Sequence, residues 1–227
     1  MTRALVAALA AVGLLTASAP PVIAASPPAT WDGLVKVPSK KLDLAYLLPG
    51  ADFRAYHKVM IDQTEVAFRK NWQRDYNSST ASLAARISDS DAQKMLDKVR
   101  TGFEKIFLKA YADAGYPAVT VPGPDVLRLR TAVTNLSVTA PDKMTAGRSR
   151  SFAREAGEGT LVLEARDSVT GALLGRAIDR RLAGDMGPYL RTSVSNRGDF
   201  ESLFKAWAKA SVEGLNALKA ASPVAAN

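Results

Sequence analysis

Apolar positions recur at helical spacing through Asp89–Ala114, where Ala92, Met95, Val99, Phe103, Ile106 and Ala110 follow at intervals of three and four residues. Ser88 or Ser90 is placed to cap the first turn, and Gly115 to end the helix in a left-handed conformation. Tyr116-Pro117 then prevents continuation. The spacing predicts a long amphipathic helix lying on a sheet. A second helix is predicted over Asp199–Lys219, with Asp199 as N-cap and Phe200, Leu203, Phe204, Trp207, Ser211, Leu215 and Leu218 along one side.

Between and before these stripes the period changes to two. Tyr56–Phe68 reads as one strand with a half-polar face. Val126–Val138 alternates through Leu127, Leu129 and Val133, then changes face at Leu136 and Val138, which predicts a bulge near Thr134-Asn135. Thr160–Asp167 and Ala172–Arg180 flank Ser168-Val169-Thr170-Gly171, a hairpin connection with Gly171 supplying the positive φ. Lys36–Pro49 reads as a basic segment ending in a turn, Asn71–Thr80 as polar and irregular, and 139–159 and 183–198 as exposed loops. The expected fold is α+β: an antiparallel or mixed sheet of about four strands, with two long amphipathic helices packed on one face.

The first residues follow a different pattern. Arg3 precedes the uncharged run Ala4–Ala17, then Pro20-Pro21 and Val22-Ile23-Ala24, the three-part layout of a secretory signal. The run is too short for a spanning helix, which needs roughly 20 apolar residues. The expected organisation is a signal peptide over 1–24, a tether over 25–30, one α+β domain over 31–219 and a C-terminal tail over 220–227. Cleavage after Ala24 leaves no transmembrane helix in the mature chain. The expected location is periplasmic or secreted.

Composition narrows the chemistry more than it identifies it. With no Cys, disulfides, thiolate metal sites and Cys nucleophiles are excluded, and the absence argues against a lipid anchor. His57 is the single imidazole, and no G-x-S-x-G element accompanies it, so a structural role is expected. Ser202-Leu203-Phe204-Lys205 matches S-x-x-K, but the S-D-N and K-T-G partners of that chemistry are missing. Asp89, Asp91 and Asp97 sit at a helix start, where acids meet the macrodipole, and lack the glycine and distal Glu of a calcium loop. Asp62, Glu65, Glu164 and Asp179 fall on predicted strands. Pairing with Arg128, Arg130 or Arg176 is their expected use, although an assembled carboxylate pair stays open. No catalytic, cofactor-binding or metal-ligating residue is assigned, and no cofactor is expected.

The chain carries 30 basic and 22 acidic residues, a net charge of +8. Half of that excess falls between Lys143 and Arg197, where ten basic residues meet six acidic ones. Arg148, Arg150, Arg154, Arg191 and Arg197 form a candidate interaction patch there. No aromatic stacking motif accompanies these arginines, so nucleic acid is not the expected partner. An envelope protein or an anionic envelope surface is, with the oligomeric state left open.

At Trp31-Asp32-Gly33-Leu34, Leu48-Pro49-Gly50-Ala51-Asp52, Tyr56, Asp62 and Glu164–Gly171, the chain resembles the bacterial domain-of-unknown-function family numbered 3313. The resemblance covers Trp31 to Leu218 and implies an exported envelope protein of a family that has no established activity. Its members are often lipoproteins, a pattern from which this Cys-free chain departs. The family offers no catalytic residues to carry over. The expected function is a non-enzymatic periplasmic binding or assembly module presenting a sheet edge or basic loops. The alternative is an exported hydrolase using an assembled carboxylate pair or a Ser. A third possibility, carriage of a small ligand between helices and sheet, requires an apolar cavity.

Overall fold

The structure, a computed structural model, describes residues 26–139, 151–153, 155–184, 189–191 and 193–225, without the side chains of 151–153, 189–191, 193 and 194. The expected signal segment over 1–24 lies outside the described residues. The chain forms β1 (Thr30–Trp31), β2 (Leu34–Val37), β3 (Leu44–Leu47), β4 (Lys58–Ile61) and β5 (Glu65–Phe68). Helix α1 (Trp72–Ser79), a short 3-10 turn at Leu83–Ala85 and helix α2 (Asp89–Asp113) follow. Then come β6 (Val126–Val138), β7 (Ser151–Ala153), β8 (Gly157–Asp167), β9 (Leu173–Ala183), β10 (Tyr189–Arg191) and α3 (Ser193–Ala221).

Eight strands make one mixed sheet in the order β1-β2-β3-β9-β8-β6-β4, with β5 also on β6; β7 and β10 form a separate antiparallel ribbon. β4 and β5 run parallel to β6, and the other neighbours are antiparallel. Helices α1 and α2 form the long link between parallel β5 and β6, a connection no tight turn can make.

The expectation of about four strands and two helices is therefore overturned: the main sheet has eight strands, and α1 is a third α-helix. The missed strands lack a local signature. β2 and β3 are four residues each and sit among Lys, Ser and Pro; the pairing of β3 with β9 orders them. Gly175 of β9 permits that approach, because a Cβ there would stand 3.0 Å from the Leu47 side chain and 3.3 Å from the Tyr46 carbonyl oxygen. The single strand expected over Tyr56–Phe68 is split, since the register on β6 jumps from Ile61↔Leu129 to Glu65↔Ala132. Thr64, in the gap, meets the Thr131 hydroxyl at 2.8 Å.

Tertiary contacts likewise override polar composition in α1. Trp72 stacks on Phe68 with ring centroids 4.1 Å apart and donates its indole N–H to the Val138 carbonyl at 3.3 Å. The Asn77 side chain closes a loop on the Ile87 backbone, accepting from its N–H at 2.7 Å and donating to its carbonyl at 2.8 Å. Helix α3 begins at Ser193, so Asp199 lies inside the helix and is not its N-cap.

Three local features follow the sequence directly. Helix α2 starts with a reciprocal capping box between Ser88 and Asp91, and Gly115 beyond its end has φ +84°. The β6 register against β8 slips between Thr134 and Ser137, with Asn135 at φ +50°. Gly171 in the β8–β9 turn has φ +73°.

The core lies between the inner face of the sheet and the pair α2/α3. Leu127, Leu129, Val133 and Leu136 point into it from β6 and are buried. Phe103 stacks on Phe107 at 4.1 Å and meets Phe204 of α3 edge-on at 5.5 Å. Each buried side chain of this size contributes roughly 1.5–3 kcal/mol by leaving water.

Candidate ligand-binding cavity

Helix α3 changes character along its length. Its first half carries Phe200, Leu203, Phe204 and Trp207, all buried. They fill the space over β8 so closely that a Cβ on Gly159 would stand 3.4 Å from the Trp207 ring. Beyond Trp207 the small residues Ala210, Ser211, Gly214 and Ala217 line the gap alongside Leu215 and Leu218. The strands opposite are small too, with Ala45 on β3, Ala165 on β8, and Gly175 and Ala177 on β9. Small residues on both walls leave a cavity of about 500 Å³, which Leu47, Leu127, Leu129, Leu163 and Leu215 complete with apolar surface.

Few polar groups touch it. Tyr111 of α2 is 1 % exposed, and burial pushes its hydroxyl up to about 12, with a hydrogen bond to Ser211 working in the other direction. Ser211 in turn donates to the Ala208 carbonyl at 2.9 Å. At the rim stand Ser39, Lys40 and Lys41 in the β2–β3 loop, and Glu213 on α3; Tyr46 and Arg176 also border the space, the first bonded to the Pro28 carbonyl and the second ion-paired with Glu164 and Asp32. Lys41 and Glu213 form an ion pair that joins the loop to the helix. The Lys41 hydrogen bond, and after it the charges of Lys41 and Lys209, holds the Glu213 carboxyl below the usual carboxylate range. Ser39 accepts from the Leu42 N–H at 3.1 Å, and Arg181 donates to the Lys41 carbonyl at 2.6 Å, which fixes the loop onto β9.

Three of the acids singled out in the sequence are used elsewhere, and Glu65 is exposed at the start of β5. Glu164 pairs with Arg176 across the strands at 2.8 Å and with Arg166 at 2.8 Å. Asp62 pairs with Arg128 at 2.9 Å and with Arg130 at 3.7 Å. Asp179 is buried and takes N–H donors from Trp207, Arg181 and the Asp43 backbone. His57 is exposed, with Nδ1 3.4 Å from the Lys219 ammonium. Ser202 is exposed and donates to the Gly198 carbonyl at 2.9 Å, which accounts for its place in the S-x-x-K string. Among the described residues there is no group of three or more His, Asp or Glu placed to hold a metal ion.

Of the arginine patch, only Arg197 is described with its side chain, and it does not line the cavity. Arg148, Arg150 and Arg154 lie outside the described residues, as does the side chain of Arg191. The Arg191 backbone sits opposite Ser151 in the β7/β10 ribbon, and Arg197 is exposed near the start of α3. The residues that matter most here, Ala165, Ala177, Ala210 and Gly214, were not singled out from the sequence. On α3 the legible signal is that its aromatic residues end at Trp207.

Among the described residues no helix is long and apolar enough to cross a membrane. No match was found among curated proteins. Solved structures similar to the chain include the PelC dodecamer from Paraburkholderia phytofirmans, at 11% identity over 71% of this chain and 94% of that one, with a TM-score of 0.33. Protein XCC0632 from Xanthomonas campestris, assigned to DUF330, is 11% identical over 74% and 90%, with a TM-score of 0.32. A neuraminyllactose-binding hemagglutinin homolog from Helicobacter pylori is 10% identical over 77% and 92%, with a TM-score of 0.33. The sequence itself matches the family described as protein of unknown function DUF3313 over residues 28–211, and the chain belongs to that family.

Proposed function

We propose that this DUF3313 protein is an exported, non-enzymatic binding module of the cell envelope, which holds a small, largely apolar molecule between α3 and the sheet. The observation that carries the proposal is the cavity of about 500 Å³ with apolar walls. Small-molecule sites occupy roughly 300–1,000 Å³ and are lined mainly by apolar side chains with a few polar groups. The small residues on both facing walls act together to keep this space open. Export rests on the leader pattern over 1–24, with cleavage after Ala24 and one domain over 31–219.

Hydrolysis is the weaker reading. Among the described residues Glu213 is the only carboxylate lining the cavity, and it is ion-paired at the rim. An assembled pair needs two acids facing one bond. The Ser211 hydroxyl is engaged with the Ala208 carbonyl and the Tyr111 hydroxyl, neither of which is a base at neutral pH.

The test is binding of the neutral dye N-phenylnaphthylamine, whose fluorescence rises in apolar surroundings. The wild-type protein should give a saturable rise, and the wall-filling variants Ala177→Leu and Ala165→Leu, checked for native circular dichroism, should lose most of it. No saturable rise, or equal binding by folded variants, would refute the proposal.

A further inference from the structure

We infer that the ligand of this cavity is a single-chain amphiphile with an anionic head, its chain lying between α3 and β9 and its head at the rim beside Lys40 and Lys41. The inference rests on the binding function proposed above and adds the chemical class of the ligand. Volume sets the number of chains. A methylene group takes up about as much space as a water molecule, roughly 30 Å³, so about 500 Å³ accepts one long alkyl chain and not two.

Charge sets the head. The polar groups are distributed unevenly, with apolar walls and buried, mutually satisfied hydroxyls of Tyr111 and Ser211 inside. The exposed rim instead carries Lys40, Lys41 and the single acid Glu213, and Lys209 stands close enough to act on Glu213 by its charge. Lys40 makes no ion pair among the described residues. Lys40 and Lys41 against the one rim carboxylate, Glu213, leave one positive charge in excess where a ligand head emerges.

The loop carrying Lys40 and Lys41 is also held in place before any ligand arrives. Ser39 accepts from the Leu42 N–H, Arg181 holds the Lys41 carbonyl, and Asp43 next along bonds both ways with β9, giving its N–H to Asp179 and accepting the Arg180 N–H. The lysines are therefore presented on a fixed frame, with little ordering left to lose on binding. The Lys41–Glu213 ion pair spans from this loop to α3, and the two side chains are 55% and 39% exposed. Exposed pairs of this kind are weak. A ligand carboxylate can take the place of Glu213 on Lys41 while Lys40 supplies a second contact.

The test is displacement of N-phenylnaphthylamine by three ligands of equal chain length below their micelle-forming concentrations: myristate, myristyl alcohol and myristyltrimethylammonium. Myristate should displace the dye at about tenfold lower concentration than either of the others. Lys40→Glu and Lys41→Gln should each reduce that preference, read within each variant as the ratio of myristate to myristyl alcohol potency so that any change in dye affinity cancels. Equal potency of the three ligands, or a preference that both variants leave intact, would overturn the inference while the binding function stands. Failure of the dye to bind wild-type protein would overturn both.

Discussion

The buried carboxylate of Asp179 accepts the indole N–H of Trp207 at 2.8 Å, fastening α3 to β9 where the aromatic residues of the helix end. Asp179 also accepts from Arg181 Nε at 2.5 Å and from the Asp43 N–H at 3.0 Å. One carboxylate thus ties the helix, the strand and the rim loop together. Aromatic side chains before this point pack against the sheet, and after it Ala210, Gly214 and Ala217 leave room for the cavity beside Leu215 and Leu218.

Trp207→Phe keeps an aromatic ring but leaves one Asp179 bond unmade. A buried acceptor deprived of its donor costs about 1–3 kcal/mol. Urea denaturation should show a loss of at least that size, because some ring volume goes as well. A loss well below 1 kcal/mol would show that the contact does not fasten the helix.

Two glycine substitutions should have opposite signs. At Gly157 a Cβ would fall 1.9 Å from the Ser137 carbonyl oxygen, so Gly157→Ala must displace backbone in the β6–β8 ladder. Destabilisation of roughly 3 kcal/mol or more, or failure to fold, is expected. At Gly214 a Cβ meets no heavy atom within 4 Å, and the residue is interior to α3. Gly214→Ala should therefore stabilise by about 0.5–1 kcal/mol. Denaturant midpoints of the two variants check both signs.

Glu164 predicts a pH dependence. Burial pushes its carboxyl up, but hydrogen bonds and charge from Arg176 and Arg166 outweigh burial and hold it below its ordinary 4.5. Because the folded value lies below the unfolded one, the unfolded state takes up the proton first as pH falls. The contribution is full above the unfolded value and is lost as pH drops through the folded one. Glu164→Gln should cost about 1.5–3 kcal/mol at pH 7 and flatten the acid limb of the stability curve. An unchanged slope below pH 4.5 in the variant would contradict the assignment.

The Lys41–Glu213 pair should matter more for ligand entry than for stability. Glu213→Gln should leave the unfolding free energy essentially unchanged, because water screens an exposed pair. Stopped-flow measurement should show faster dye entry, since the tie across the rim is gone. A slower or unchanged entry rate would remove the pair from the entry path.

Strong local periodicity made part of this fold legible in advance. The α2 stripe, its Ser88 cap, the bulge at Asn135 and the Gly171 turn depend on residues close together in sequence, so their signals survive without tertiary context. The strands around Leu34–Leu47 and the helix beginning at Trp72 were missed for the opposite reason. β3 exists because β9 offers a glycine for it to lie against, and α1 because Trp72 stacks on Phe68. Strand number was underestimated as a result. The cavity was less legible still, since it is a property of facing walls. Ala45, Ala177 and Gly214 are unremarkable alone, and only their meeting across the gap leaves space.

Hydrogen exchange read by mass spectrometry, with and without saturating N-phenylnaphthylamine, tests the central claim most directly. Binding within the cavity should slow exchange in the β2–β3 loop at 38–42 and in the second half of α3 at 210–221, leaving α1 and the β8–β9 turn unchanged. No protection at those two segments, or protection confined to other parts of the chain, would contradict a ligand site between α3 and the sheet.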